Sequence, residues 1–370
     1  MSWPDRAVRV RVPATSANLG PGFDALGLAL TRYDEVEAEI TGGGLAIEVV
    51  GEGEQAAGAG ERHLVVRAMR AAFAALGTQP PGLALRCVNT IPQGRGLGSS
   101  AGAVVAGLLA ARALASGALD PGSRGQDTDR RGAGSSTAES RLSDAGLLGL
   151  ATGIEGHSDN AAACLAGGLT IAWSGPAGPR AVRLDPLPVI TPVICVPAVS
   201  LATTAARQAL PATVSHGDAA ANAGRSALLV AALTQDPDLL FDATRDLLHQ
   251  PYRAPLMPAT ADLIDRLRAA GIAAAMSGAG PSVIALMVSG GIPGPGEVDS
   301  IVSQTGNEWH VSPLDVDRHG ATIQSVPPGT RIQDSARHGR QGTYSQTARA
   351  GHAVRSPQDR RPSSVQHGQL

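Results

Sequence analysis

The stretch PQGRGLGSSAG (Pro92–Gly102) packs four glycines and two serines into eleven residues. A strand-like run, LALRCVNTI (83–91), leads into it, and a helix-like apolar run, SAGAVVAGLLAARALA (100–115), leads out. Strand, glycine turn and helix start together present several backbone N–H groups and the positive end of a helix dipole to an anion. Gly94, Gly96 and Gly98 permit positive φ and close approach of a polyphosphate. Ser99 and Ser100 can donate hydroxyls at the helix start, and one of them can ligate Mg²⁺. Taken alone, the same residues also describe an ordinary glycine-rich turn.

The chain has 370 residues and no lysine; all 30 of its basic residues are arginine. A Walker A loop and a protein-kinase strand both need lysine, as does Schiff-base chemistry, so these three classes are excluded. Phosphate binding here has to rest on backbone donors. The formal charge of −2 gives no general pull toward nucleic acid or an anionic membrane. Cys87, Cys164 and Cys195 are far apart and fit neither a disulfide framework nor a zinc site. With no apolar signal core and no apolar run of membrane length, the expectation is a cytoplasmic protein.

Working outward, Val8, Val10 and Val12 alternate with Arg9 and Arg11 as in a half-buried strand, and DEVEAEI (34–40) and LAIEVV (45–50) read as further strands. The spacing predicts helices over 62–76, 142–152, 216–235, 237–248 and 259–270, and strands over 189–197, 308–312 and 321–325. IAAAM and SVIALMV are strands on either side of SGAGP. Residues 117–141 hold one large aliphatic side chain, Leu119, and read as a mobile insertion. From about 327 the chain reads as a disordered, arginine-rich tail.

Three other stretches carry candidate chemistry. PATSANLGPGFDALGLAL (13–30) offers Asn18 and Asp24, which by themselves read as the caps of a turn and of a helix running through Leu30. IEGHSDNAAAC (154–164) sets Glu155, His157, Asp159 and Asn160 within six residues, as either a metal or substrate clamp or a solvated turn. AAAMSGAGPSVIAL (273–286) places Ser277, Gly278 and Gly280 in a tight turn between strands, which can face the first loop across a cleft or be a plain hairpin turn.

In this order, PATSANLGPGFDALGLAL, PQGRGLGSSAG and AAMSGAGPS resemble the homoserine kinases of the GHMP small-molecule kinase superfamily, and EGHSDN and RDLLHQPYRAPLMP (245–258) are similar to the same family. The resemblance covers about residues 8–325 and leaves out the insertion and the tail. It implies a two-domain α+β fold: a ribosomal-protein-like sandwich over 1–170, a ferredoxin-like domain over 171–326, and a tail over 327–370. ATP would lie on Pro92, Gln93, Gly94, Arg95, Gly96, Leu97, Gly98, Ser99, Ser100, Ala101 and Gly102, with Ser277, Gly278 and Gly280 facing them.

The resemblance further implies that Ser99 or Ser100, with Glu155, holds Mg²⁺, and that His63 and Leu64 sit near the adenine. Homoserine would be clamped by Asn18, Asp24, His157, Arg207 and Arg253, with Thr203 near its hydroxyl. In SLATTAAR, Thr203 lies four residues before Arg207, on one helical face. Arg95 reads as solvated at the loop's rim. Where mevalonate kinases, which the chain resembles less, use an aspartate base and a lysine, this chain has Asn160 and no lysine, so no strong general base is expected. Ser158 stands where the family often has proline. The expected partners are ATP and L-homoserine, without nucleic acid or membrane, and a homodimer is compatible with the sequence. The rival readings are another GHMP-type kinase with a different alcohol, and a non-catalytic binding module on the same fold.

Overall fold

Alternation in the first strand sets which side becomes core. In the computed structural model, which describes residues 3, 5–116, 142–291, 293–327 and 332, Val8, Val10 and Val12 are fully buried. Arg9 and Arg11 point the other way and pair with Glu37 and Glu35 of the neighbouring strand. The expected insertion at 117–141 and, save residue 332, the chain after 327 lie outside the described residues.

β1 (Ala7–Asn18) and β2 (Gly22–Thr41) form a long antiparallel pair. The helix that Asp24 alone would cap does not form, because residues 22–41 are strand throughout. β3 (Gly44–Gly51) and β4 (Gly82–Asn89) run parallel. Parallel neighbours need a crossover, and α1 (Leu64–Ala75) supplies it. β4 then delivers the chain to the glycine loop, and α2 (Ser99–Ser116) rises from it. By length and composition α2 could cross a membrane, contrary to the sequence expectation, but 67% of it is buried. Its Val104, Val105, Leu108 and Leu109 pack with Val65, Met69 and Phe73 of α1 in the first core.

α3 (Asp144–Glu155) and α4 (Asp159–Ala166) follow and lead to the hairpin of β5 (Leu169–Gly175) and β6 (Gly178–Leu184). β5 pairs with Leu26–Leu28 of β2, and β11 (Thr322–Val326) returns to pair with β1, which makes a seven-stranded sheet. A boundary at 170/171 would therefore cut through β5, whereas the first sheet runs to Leu184 and takes in the last strand.

The second sheet has the order β10-β7-β9-β8. Its strands are β7 (Ile190–Pro197), β8 (Ala273–Met276), β9 (Val283–Val288) and β10 (Trp309–Pro313), all antiparallel. α5 (Thr203–Gln208), α6 (His216–Thr234), α7 (Leu240–Ala243), α8 (Gln250–Arg253), α9 (Pro258–Ala269) and α10 (Pro295–Ser303) complete it. The single helix expected over 237–248 is broken. A 3-10 turn (Pro237–Leu239) precedes α7, and the Asp246 carboxylate then accepts the backbone N–H groups of Leu248, His249 and Gln250. That turn starts α8 in a new direction. One core joins both halves: Leu19, Leu28, Ile91 and Leu97 from the first pack with Ile194, Leu229 and Ile284 from the second. The site lies at this junction.

Candidate active site

The glycine loop is held from below. The Asp34 carboxylate accepts the N–H groups of Thr90 (2.6 Å) and Ile91 (2.9 Å), which fixes where β4 gives way to the loop. Gly96 and Gly98 both have left-handed φ, 75° and 70°. A Cβ on Gly96 would strike the carbonyl of Ser277, and one on Gly98 would strike the Thr15 hydroxyl. Glycine is thus required by close packing as well as by backbone conformation. α2 starts at Ser99, so the N–H groups of its first turn lack intrahelical acceptors and are available to an anion at the loop.

Three distant segments close over this loop. Ser277 donates its hydroxyl to the Gly96 carbonyl (2.8 Å) and accepts from the Ser16 hydroxyl (2.9 Å), and Gly278 N–H donates to the Ala17 carbonyl (3.0 Å). Asn18 donates its Nδ2 to the Gly278 carbonyl (2.8 Å), while its Oδ1 accepts the Asp24 N–H (2.9 Å). Asn18, Leu19 and Asp24 all sit at positive φ, so these bonds hold a strained loop in place. The Arg95 guanidinium is not solvated as the sequence suggested. It donates to the carbonyls of Pro197 (3.0 Å), Ala198 (2.8 Å) and Gln93 (3.2 Å), fastening the loop to the end of β7.

A cleft of about 100 Å³ lies between these walls. Pro92, Gly94 and Gly96–Ala101 line one side; Glu155, His157, Asp159 and Asn160 line another. Asn18, Asp24, Thr203, Arg207, Arg253 and Gly278 line the rest. Among the expected phosphate contacts, Ser277 and Gly280 do not line it; they buttress the loop from behind, where Gly280 lies against Gly96. Gly102 is buried within α2 near Val12. Gln93, Gly94, Ser99 and Ser100 also line a second cavity of about 340 Å³, which has His63 and Leu64 in its wall. His63 Nδ1 is buried there without a partner among the described residues, and burial lowers the pKa of the ring.

Ser100 donates its hydroxyl to Glu155 Oε1 at 2.7 Å. His157 Nδ1 lies 3.0 Å from the buried Asp159 carboxylate, which raises the ring's pKa. This contact assigns the proton to Nδ1 and leaves Nε2 free of Asp159. Asn160 accepts the Thr15 hydroxyl at 2.7 Å. Arg207 binds Asp24 through two bonds, of 3.0 and 2.7 Å, and that carboxylate holds its pKa above the usual value. Arg253 is 1% exposed, and burial lowers its pKa. Sequence reasoning missed the parts played by Thr15, Ser16, Asp159 and His249. Thr15 and Ser16 fall inside the quoted PATSANLG stretch, and His249 falls inside RDLLHQPYR, but only the fold shows what they touch.

Comparison with known proteins agrees with this arrangement. The family described as GHMP kinases N terminal domain matches residues 63–125, and GHMP kinases C terminal matches residues 228–309. The homoserine kinase of Streptomyces coelicolor is 50% identical over 317 residues, covering 86% of this chain and 94% of its own. The chain belongs to the homoserine kinase family. The homoserine kinase of Mycobacterium tuberculosis is 47% identical over 286 residues, covering 76% of this chain and 84% of its own. Among solved structures, the homoserine kinase from Cytophaga hutchinsonii superposes with a TM-score of 0.68 at 26% identity, covering 88% of this chain and 99% of its own. The fold is therefore the mixed helix-and-sheet GHMP kinase fold that the motifs implied.

Proposed function

We propose that the protein transfers the γ-phosphoryl group of ATP to the hydroxyl of L-homoserine, giving O-phospho-L-homoserine and ADP on the route to threonine. One observation carries this reading: residues from six separated segments converge on a single cleft whose charges suit a zwitterion beside a phosphate loop. Asp24 suits the ammonium, and Arg207, Arg253 and His157 suit the carboxylate. Thr203, at the mouth of the same cleft, lies where the hydroxyl would come. The adenine would occupy the cavity beside His63 and Leu64, and the phosphates would lie on residues 92–101. Three free, buried cysteines accord with a reducing cytoplasm.

A metal fits beside the loop. The Ser100 hydroxyl and Glu155 carboxylate are hard oxygen donors already in contact, and with phosphate oxygens and water they make the small set Mg²⁺ accepts. Bound there, Mg²⁺ would neutralise phosphate charge. Among the described residues no group of three or more His, Cys, Asp or Glu could hold a metal, so phosphate and water would complete the shell.

The remaining chemistry is positioning. The homoserine oxygen bonds to the γ-phosphorus as the bond to the β–γ bridging oxygen breaks, and the hydroxyl proton leaves toward solvent. No carboxylate serves as base at Asn160, whose amide is tied to Thr15 and Asp159. A loose phosphoryl-transfer transition state needs little base, so backbone N–H donors and alignment of the acceptor supply most of the stabilisation. Substrate entry has to open the Asp24–Arg207 pair and replace each partner with the opposite charge of the amino acid. The test is acceptor choice: ADP release by the purified protein with L-homoserine, mevalonate and a sugar. Strong preference for homoserine is expected, and preference for another alcohol would overturn the assignment.

A further inference from the structure

His249 lies behind the cleft and touches no part of its surface; its side chain is fully buried. Its two ring nitrogens have different partners. Nε2 is 2.8 Å from the Gly20 carbonyl, and Nδ1 is 3.1 Å from Arg253 Nη1. A carbonyl only accepts and a guanidinium only donates. The ring is therefore neutral, with its proton on Nε2 and its lone pair on Nδ1 aimed at Arg253. Burial, which lowers the ring's pKa, agrees with that state.

Arg253 Nε and the second Nη1 hydrogen are also committed. Nε donates to the Ala206 carbonyl (3.2 Å), and Nη1 donates to the Gly278 carbonyl (3.3 Å) as well as to His249. These contacts occupy Nε and Nη1 and leave Nη2 as the uncommitted nitrogen of this cleft-lining residue among the described residues. The Phe23 ring lies between these groups, stacked on His249 at 5.3 Å and flanked by the Arg253 and Arg207 guanidinium groups at 5.5 and 5.8 Å. Asp246 fixes the backbone N–H of His249 itself. His249 thus joins three pieces of the binding wall: the 18–24 loop, Arg253, and through Arg253 the 277–281 turn.

We propose that His249 is a positioning residue for homoserine, acting through its Nδ1 lone pair to aim the Nη2 donors of Arg253 at the substrate carboxylate. The inference rests on the reading of Arg253 as a carboxylate clamp. An unaimed arginine still carries its charge, but loses the preset direction of its remaining Nη2 donors. The expected signature is weaker homoserine binding with ATP binding unchanged.

The test compares His249→Asn, His249→Gln, Arg253→Lys and the His249→Gln/Arg253→Lys double variant in steady-state kinetics on folded full-length protein. An asparagine amide can set an acceptor where Nδ1 was, whereas a glutamine amide reaches the Nε2 position and leaves Arg253 without one. His249→Gln is expected to raise the homoserine KM about 10-fold, the scale of one lost buried hydrogen bond to a charged group. Its ATP KM should stay within about 2-fold, and His249→Asn should recover most of the homoserine loss. In the double variant, His249→Gln should add little to Arg253→Lys, because both act on one contact.

A selective rise in Arg253→Lys with both His249 variants near wild type would overturn the positioning role and leave the clamp standing. No selective effect of Arg253→Lys would overturn the clamp, and this inference with it. Should His249→Gln not fold, ¹⁵N spectra of the histidine rings in the wild-type enzyme decide. A proton on Nε2 alone, unchanged between about pH 5.5 and 8, is expected, and a proton on Nδ1 refutes the arrangement.

Discussion

Replacing Gly98 with alanine tests whether the phosphate loop is held by contact with the end of β1. Gly98 sits at φ 70°, and an added Cβ would fall on Thr15 Oγ1 and 3.0 Å from Asn160 Oδ1. Two costs follow. Alanine in the left-handed region costs about 1 kcal/mol. The displaced Thr15 hydroxyl gives up its 2.7 Å bond to Asn160, and leaving this fully buried hydroxyl without its acceptor costs about 2 kcal/mol. Gly98→Ala should therefore destabilise by about 3 kcal/mol. Thr15→Ala alone forfeits the same hydrogen bond, for about 2 kcal/mol.

In the double variant the hydroxyl is already gone. Only the backbone cost remains, plus a tight but tolerable approach to the residue-15 Cβ at 3.2 Å. The double should then lose about 3 kcal/mol where simple addition gives about 5, a coupling of about 2 kcal/mol. Urea unfolding of the four proteins, with ATP KM measured alongside, reads this directly. Additive losses would refute the contact; equal ATP KM in all four would refute its relevance to the phosphate site.

Three further outcomes are expected. Glu155→Gln should cut turnover strongly while the fold melts normally, because it removes the charged partner of Ser100 at the proposed metal position; a near-normal rate at saturating Mg²⁺ would reject that role. Arg95→Ala should raise the ATP KM about 10-fold with little change for homoserine, since three guanidinium-to-carbonyl bonds anchor the loop to the end of β7; an unchanged ATP KM would count against that anchor. Asp34 is buried, and desolvation pushes its pKa from 3.8 up to about 6. With the folded value above the unfolded one, its stabilising effect is complete at low pH and declines as pH rises from about 4 through about 6. Asp34→Asn should therefore gain on wild type by about 2 kcal/mol between pH 4 and pH 7.5, and an offset that does not vary with pH would contradict it.

The first core was legible because its signals are local. Val8, Val10 and Val12 alternate over five residues, and the α1 and α2 segments carry their own apolar faces. The glycine loop was legible for the same reason: strand, turn and helix start are contiguous. The rest depends on partners far along the chain. Asn18 meets Gly278 across 260 residues, and Ser277 meets Gly96 across 181. No periodicity reports such pairs. Arg95 read as solvated because its acceptors, the carbonyls of Pro197 and Ala198, are backbone groups that sequence does not distinguish. The 237–248 stretch has helical spacing, yet Asp246 binds three backbone N–H groups and turns the chain, so a tertiary demand for Arg253 at the cleft overrides propensity. The β5–β6 hairpin and β11 join the first sheet by pairing with edges of β2, β5 and β1, which no linear boundary expresses.

The central claim is that one cleft aligns ATP with the hydroxyl of a zwitterionic amino acid. The most direct test incubates the purified protein with ATP, Mg²⁺ and L-homoserine and follows the phosphorus by ³¹P spectroscopy. The γ-phosphate signal should be replaced by equal amounts of ADP and a phosphate monoester on the homoserine hydroxyl. The monoester should not form when 4-hydroxybutyrate, which lacks the ammonium for Asp24, is the acceptor. Inorganic phosphate with no monoester, or equal transfer to both acceptors, would contradict that alignment.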